Sequence, residues 1–360
     1  MVHEDILHTV DAINFLSRDQ YCIDTILREV DKIRIIDPYR VFGPEDRNAE
    51  GESYLVKNNL NPALDKILAT DIYNLLYNKT AADSYSAGAE HDHFKSQLSA
   101  CNSGTGSWED GWQIVESDFK NNQVAVRKGQ VVFWVETDEV KCQGKADASR
   151  SCRVRIPKET RNLNASFFMI FGNLSSVGCK NPLEDVVRFY WNLTAEGALD
   201  YVRFCTEALN RERLHFKTKV ISDPRAYQRS DAGVLYINRA DLRETLPIIK
   251  DIHGKLQGKI KPATPLFAKR LADGLGFAED PRDDNSFGFS RAKIIAGSLI
   301  RCLVEDRCSR GEIVQSVRQS FEKEGIDPMA PYALKDHLFD YEQELSSAMD
   351  DSVRRQEELT

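Results

Sequence analysis

The residues best suited to chemistry in this 360-residue chain lie between His215 and Arg291. In LHFKTKV, Leu214 to Val220, alternation predicts a β-strand with His215, Lys217 and Lys219 on one face and Leu214, Phe216, Thr218 and Val220 on the other. Tyr227, Arg229 and Asp231 follow in the next loop. A second predicted strand, GVLYI from Gly233 to Ile237, comes directly after, and Arg239 lies just past its end. If the two strands pair, the row of three titratable groups gains a tyrosine, an arginine and a carboxylate beside it. Such a surface attracts an anion through its local potential. A plainer role is open to the same residues, with lysines protecting a sheet edge and Asp231 neutralising Arg229.

A second cluster spans PLFAKRLADGLGFAEDP, Pro265 to Pro281, and SFGFSR, Ser286 to Arg291. Its glycines and prolines predict an ordered loop with special backbone angles. Ser290 is expected to cap the following helix, which would put Arg291 in the first turn, where free N–H groups and the helix dipole favour an anion. Lys269 could reach the same phosphate. The alternative is a loop packed under Phe267, Phe277, Phe287 and Phe289, with its cations merely exposed.

The elements that must position these residues are of mixed type. The first 80 or so residues read as helical, most clearly Asn61 to Tyr77, where Asn61 caps, Pro62 suits the first turn, and Leu64, Ile67, Leu68, Ile72, Leu75 and Leu76 share a face. Asp83 to Trp108 is rich in Ser, Ala, Gly and Asn and reads as a linker or surface loop, which would leave His91 and His93 solvated rather than metal-bound. Strands are predicted at Gln123 to Arg127 and Gln130 to Val135, joined at Lys128-Gly129, and again at Cys152 to Ile156 and Ala165 to Gly172. Helices are predicted at Leu183 to Asn192, Thr194 to Leu209, Asp241 to Leu256, Ser290 to Val304 and Gly311 to Glu324. Helices and strands in blocks, with hairpins instead of regular βαβ spacing, predict an α+β fold, an antiparallel sheet packed against helices and preceded by a helical N-terminal region.

Composition bounds the function. Hydrophobic residues make up 41 % and charged residues 29 %, enough for a sizeable core. The net charge of −8 excludes a nucleic-acid-coating protein, yet the average hides an asymmetry. Tyr201 to Ala272 holds 15 Lys and Arg against 7 Asp and Glu, whereas Glu305 to Thr360 holds 7 against 14. The N-terminus lacks the basic and apolar regions of a secretion signal, and no stretch is long and apolar enough to span a membrane, so a cytoplasmic location is expected. The eight cysteines have no CxxC spacing, which predicts reduced thiols and no metal.

The stretches WEDGWQIV, RIPKETRNLNASFFMIFGN, RFYWNLTAEGALDYV, FKTKVISDPRAYQRSDAGVLYI, PLFAKRLADGLGFAEDP and FGFSRAKIIAGSLI, in this order, resemble the HopA-like (HopPsyA) effector-domain family. The resemblance covers roughly Ser107 to Val304. It suggests a helical region at 1–100, a HopA-like domain at 107–340 and an acidic tail at 341–360. The family is named for a type III effector of plant pathogens. Relatives encoded beside a kinase-like protein in class V lanthipeptide and thioamitide clusters are understood to be lyases that eliminate phosphate from phosphoserine or phosphothreonine of a precursor peptide.

That chemistry needs a base for the α-proton, cations for the phosphate and an acid for the leaving oxygen. A lysine base needs neighbouring cations and partial burial, and Lys219, crowded by Lys217, His215 and Arg229, fits best. It also falls on the lysine of the family's FxxKV-like strand. Arg229, Arg239, Lys269 and Arg291, with Lys217, are assigned to the phosphate. His215 or Tyr227 is the candidate acid, and Asp231 is expected to orient Arg229 or Lys219. The resemblance thus implies a cofactor-free lyase partnered by a phosphorylated precursor peptide, a separate kinase-like protein and a cyclase, with no nucleic acid or membrane. The alternative is a non-catalytic effector or interaction module that binds a phosphorylated or anionic partner.

Overall fold

Alternating and β-branched runs become strands where the sequence predicts them, with one large exception. The computed structural model describes residues 4, 6, 61–78, 89–118, 120–129, 131–142, 151–164, 166–174, 185–281, 283, 285–304 and 309–345. Most of the predicted N-terminal helical region, and residues 346–360 of the acidic tail, lie outside them. In chain order the helices are α1 (Asn61–Ile72), α2 (Ala89–Cys101), α3 (Ala195–Arg211), α4 (Leu242–Lys255), α5 (Phe287–Val304) and α6 (Arg310–Lys323). The strands are β1 (Ser107–Asp118), β2 (Gln123–Lys128), β3 (Val131–Glu136), β4 (Val140–Cys142), β5 (Ser151–Ile156), β6 (Glu159–Asn164), β7 (Phe167–Phe171), β8 (Val186–Trp191), β9 (Phe216–Ile221), β10 (Gly233–Asn238), β11 (Lys269–Ala272) and β12 (Leu275–Glu279). The fold is α+β, as expected.

The chain divides into two compact units, each assembled from separated segments. One comprises Met1–Asp83, Pro265–Lys269 and Ala278–Gln343, and the other Ser84–Thr264, Arg270–Phe277 and Glu344–Thr360. In the first, α1 buries Leu68 and Ile72 and runs into a π-helical turn, Tyr73–Asn78, that packs on α5. Gly288 makes this possible, because a Cβ there would lie 2.5 Å from the Tyr77 ring. The edge of the Tyr73 ring meets Phe289 at 5.9 Å. Helix α6 starts with a capping box in which Ser309 and Glu312 satisfy each other's backbone N–H groups.

The second unit holds most of both sheets. Strands β3-β2-β1-β5-β4 form a five-stranded sheet over a core of Trp112, Val124, Val126, Val135, Val154 and Ile156. The predicted β2–β3 hairpin is present, and Gly129 supplies the positive φ of 60° that its turn needs. Antiparallel pairing of β4 with β5 sets Cys142 opposite Cys152, and the two form a disulfide. This corrects the expectation of reduced thiols for that pair. Cys101, Cys205 and Cys302 are free, and Cys22, Cys179 and Cys308 lie outside the described residues.

The other sheet has seven strands in the order β11-β12-β8-β10-β9-β7-β6. Its centre overturns one prediction, since the segment around Leu183 to Asn192, expected to be helical, contributes strand β8, every residue of which is buried. A strand covered on both faces loses its polar alternation and reads as an unbroken apolar run, which periodicity alone cannot tell from a helix. Its β-branched and aromatic residues, VVRFYW, favour the strand. The connection from Pro265 to Pro281 is likewise more regular than expected, because Asp273-Gly274 forms the two-residue turn of the β11–β12 hairpin, with Gly274 at φ 66°.

Two helices of this unit matter for the site. Helix α3 is capped by Thr194, whose hydroxyl accepts from the Gly197 N–H at 3.0 Å. It packs on one face of the seven-stranded sheet, where the buried Tyr201 hydroxyl and Thr218 hydroxyl are 2.8 Å apart and Thr218 donates on to the Val234 carbonyl. Helix α2 lies in the stretch read as a linker. His91, Phe94, Lys95 and Leu98 form its buried stripe, and His91 Nε2 meets the Ser222 hydroxyl at 3.1 Å, so His91 is not the solvated group expected.

Candidate anion-binding site

Strand β9 carries the alternation read from LHFKTKV: Phe216, Thr218 and Val220 are buried toward α3, while Lys217 and Lys219 are half-buried on the opposite face. The strand lies between β10 and β7. Lysines on an interior strand cannot be protecting an edge, which removes that part of the plainer role, whereas its other part, Asp231 neutralising Arg229, is present.

Register decides what surrounds them. Tyr236 on β10 sits opposite Lys217 on one side and Arg188 of β8 on the other. Lys217 Nζ lies 4.9 Å from the centre of the Tyr236 ring, and the Arg188 guanidinium carbon 5.2 Å from it. Lys219 Nζ stands 4.1 Å from the centre of the Phe167 ring, with the Arg229 guanidinium at 5.3 Å from the same ring. Four cations therefore share a floor of two aromatic rings. Cation–π contact contributes roughly 0.5–1 kcal/mol per exposed pair and more when desolvated. Repulsion works against it: unit charges about 7 Å apart, the spacing of alternate strand residues, cost about 2 kcal/mol at an effective dielectric of 20. An anion placed among them turns that cost into attraction.

Arg229 is held in position. Its Nε and Nη2 donate to Asp231 Oδ1 and Oδ2, both at 2.8 Å, and Asp231 is only 4 % exposed. Of the two partners expected for Asp231, this is Arg229. The loop between β9 and β10 is itself ordered. Asp223 accepts from the Arg225 N–H and guanidinium, and the Arg225 hydrogen bond is the main reason its carboxyl is held below the usual range. Tyr227 points inward, with its hydroxyl donating to the Ile221 carbonyl at 2.6 Å and its ring edge-on to Phe94 at 5.8 Å. Burial pushes this phenol well above its ordinary pKa.

The other predicted residues are dispersed. His215 precedes β9, and its Nδ1 lies 2.9 Å from the Leu174 carbonyl. Arg239 begins the turn after β10, at the end opposite Arg229, with its N–H donating to the Asp185 carbonyl at 2.6 Å. Lys269 and Arg291 belong to the first unit. Lys269 Nζ is 3.4 Å from the Tyr332 hydroxyl. Arg291 is not in a first helical turn, because α5 starts at Phe287 and Ser290 lies within it. It is 2 % exposed, and its Nε donates to the Pro331 carbonyl at 2.7 Å. The expected helix-terminal anion site at Ser290 and Arg291 is thereby corrected.

Two residues escape the sequence reading. Arg188 is concealed by the helical assignment of its segment, although an arginine inside a buried run is itself a signal of a partner. Lys261, after α4, donates from Nζ to the Tyr227 carbonyl, and burial lowers its pKa. Among the described residues no group of three or more His, Cys, Asp or Glu side chains is placed to hold a metal, and no described helix is long and apolar enough to cross a membrane.

Residues 158–333 match the HopA1 effector protein family. The resemblance read from the sequence is confirmed over this segment, which contains Arg188, Lys217, Lys219, Arg229 and Asp231. Two solved structures of effector proteins are similar to the chain. The effector protein from Pseudomonas syringae pv. tomato strain DC3000 is 19 % identical, over 76 % of this chain and 95 % of that one, with a TM-score of 0.45. The effector protein from Pseudomonas syringae pv. syringae strain 61 is 15 % identical, over 76 % and 96 %, with a TM-score of 0.43. A search of curated proteins finds no match.

Proposed function

We propose that this protein is a phosphoserine/phosphothreonine lyase that acts on a peptide phosphorylated by a separate kinase, as the lanthipeptide-associated relatives in the resemblance are understood to do. The observation that carries this is the sheet face on which Arg188, Lys217, Lys219 and Arg229 converge over Tyr236 and Phe167, with Arg229 fixed by Asp231.

In the reaction, Lys219 in its neutral form takes the α-proton of the phosphorylated residue. The electron pair of that C–H bond becomes the Cα=Cβ bond as the Cβ–O bond breaks, and phosphate leaves with both electrons of the broken bond. Arg229, Arg188 and Lys217 hold its charge, the guanidinium groups through paired N–H donors. Tyr227 drops out as the acid, because its proton is committed to the Ile221 carbonyl and burial disfavours its loss. His215, the other candidate, stands four residues before Lys219, about 13 Å along the chain, and spends its Nδ1–H on the Leu174 carbonyl, so the leaving oxygen relies on the charge of Arg229, Arg188 and Lys217 and not on a side-chain acid. The products are a dehydroamino acid and inorganic phosphate.

The match to an effector family favours a second function, in which the same face recognises a phosphorylated partner without reacting. Incubating the protein with a phosphothreonine peptide and following both binding and phosphate release separates the two. Release together with a product lighter by one phosphoric acid is the expected result. Saturable binding with no release would overturn the lyase in favour of the recognition module.

A further inference from the structure

The loop that carries Arg229 and Asp231 joins β9 to β10 at one end of the seven-stranded sheet, and it is tied down from both neighbouring strands. On the side of β7, the Ser222 N–H donates to the Ser166 carbonyl at 3.1 Å, and the Tyr227 ring rests edge-on against Phe94 of α2. On the side of β8 the tie is a single side chain. Lys261, after α4, donates from Nζ to the Tyr227 carbonyl, two residues before Arg229.

The backbone that bears this lysine is firmly anchored. Its own N–H donates to the Asn192 carbonyl at 2.8 Å, just past the end of β8, and the Asn192 side-chain amide donates to the Ala263 carbonyl at 2.8 Å. The turn between β11 and β12 closes on the same segment, with the Gly274 N–H donating to the Pro262 carbonyl at 2.9 Å. Only glycine fits there, because a Cβ on Gly274 would lie 2.3 Å from the Lys261 carbonyl oxygen. A fixed base thus carries a long side chain across to the Tyr227 carbonyl.

Lys261 is half-buried, and burial alone lowers its pKa; among the described residues no carboxylate pairs with it. Withdrawing an ammonium from water is therefore not repaid by an ion pair. What it secures is the place of the loop. We infer that Lys261 is a positioning residue for the anion site, fixing the backbone at Tyr227 and hence the point from which Arg229 reaches over the Phe167 ring. Asp231 sets the direction of the guanidinium, and Lys261 sets where its chain begins. This role rests on the sheet face binding an anion, and it is the same whether the phosphate is eliminated or only recognised.

The test is calorimetric binding, by the full chain, of a peptide in which a methylene replaces the ester oxygen of phosphothreonine, so that no Cβ–O bond can break. Lys261→Met removes the donor and keeps the bulk, and is expected to weaken binding about ten-fold, the scale of one charge-assisted hydrogen bond. Lys261→Arg keeps a donor and is expected to stay within about two-fold of the wild type. A lysine that acts through Arg229 has nothing left to position once that arginine is gone, so Arg229→Gln/Lys261→Met is expected to bind as Arg229→Gln does and no more weakly. Thermal melts check that each variant is folded; where the double variant is not, the contrast between Lys261→Met and Lys261→Arg decides. Wild-type affinity in Lys261→Met, equal losses in Lys261→Met and Lys261→Arg, or losses that add in full in the double variant would overturn the inference. Absence of binding by the wild type would instead overturn the anion site itself, and this role with it.

Discussion

At the scale of single residues, the site depends on how Arg229 is held. A free arginine samples many rotamers, whereas here two N–H groups are spent on Asp231, and the remaining donors of the planar fork have a fixed direction. Asp231→Asn keeps the shape and removes the charge. It is expected to raise KM for the phosphopeptide about ten-fold with a smaller effect on kcat, and steady-state kinetics reads this split. Arg188→Gln should weaken phosphopeptide binding by a similar factor. Asp223 gives a pH signature of a different kind. Its carboxyl is depressed, chiefly by the Arg225 hydrogen bond, so its contribution to stability is full above the ordinary aspartate value of about 4 and is lost as pH falls through the folded value. Thermal melts of Asp223→Asn between about pH 5 and pH 2 should show a shallower loss of Tm than the wild type; equal slopes would contradict this.

At the scale of elements, the contrast between β9 and β8 shows what the sequence can reveal. Strand β9 is solvated on one side only, so its lysines alternate with Phe216, Thr218 and Val220 and its register is legible. Strand β8 is covered on both sides, its pattern vanishes, and Arg188 is hidden with it. Helix α2 is hard to read for another reason. Its apolar content is slight, and its buried stripe includes His91 and Lys95, which polarity marks as surface. Ser290 misleads because a serine before an apolar run looks like a cap, while α5 begins three residues earlier at Phe287 and Gly288 packs against Tyr77. That contact makes a prediction of its own. Gly288→Ala must displace the Tyr77 ring, and overpacking of this kind typically costs about 1–3 kcal/mol, which chemical denaturation would measure.

At the scale of the molecule, the chain is acidic at −8, yet its proposed chemistry lies where the sign is reversed. Attraction of a phosphopeptide by such a local patch weakens as salt shortens the screening length, so KM should rise between low and physiological ionic strength while kcat changes little. The central claim is that phosphate leaves by breaking the Cβ–O bond, and the reaction run in oxygen-18 water tests it most directly. Elimination predicts phosphate free of the heavy isotope, together with a dehydrated peptide, and predicts that both disappear in Lys219→Ala. Phosphate carrying oxygen-18 beside a peptide with its hydroxyl restored would mean hydrolysis at phosphorus and would contradict the account.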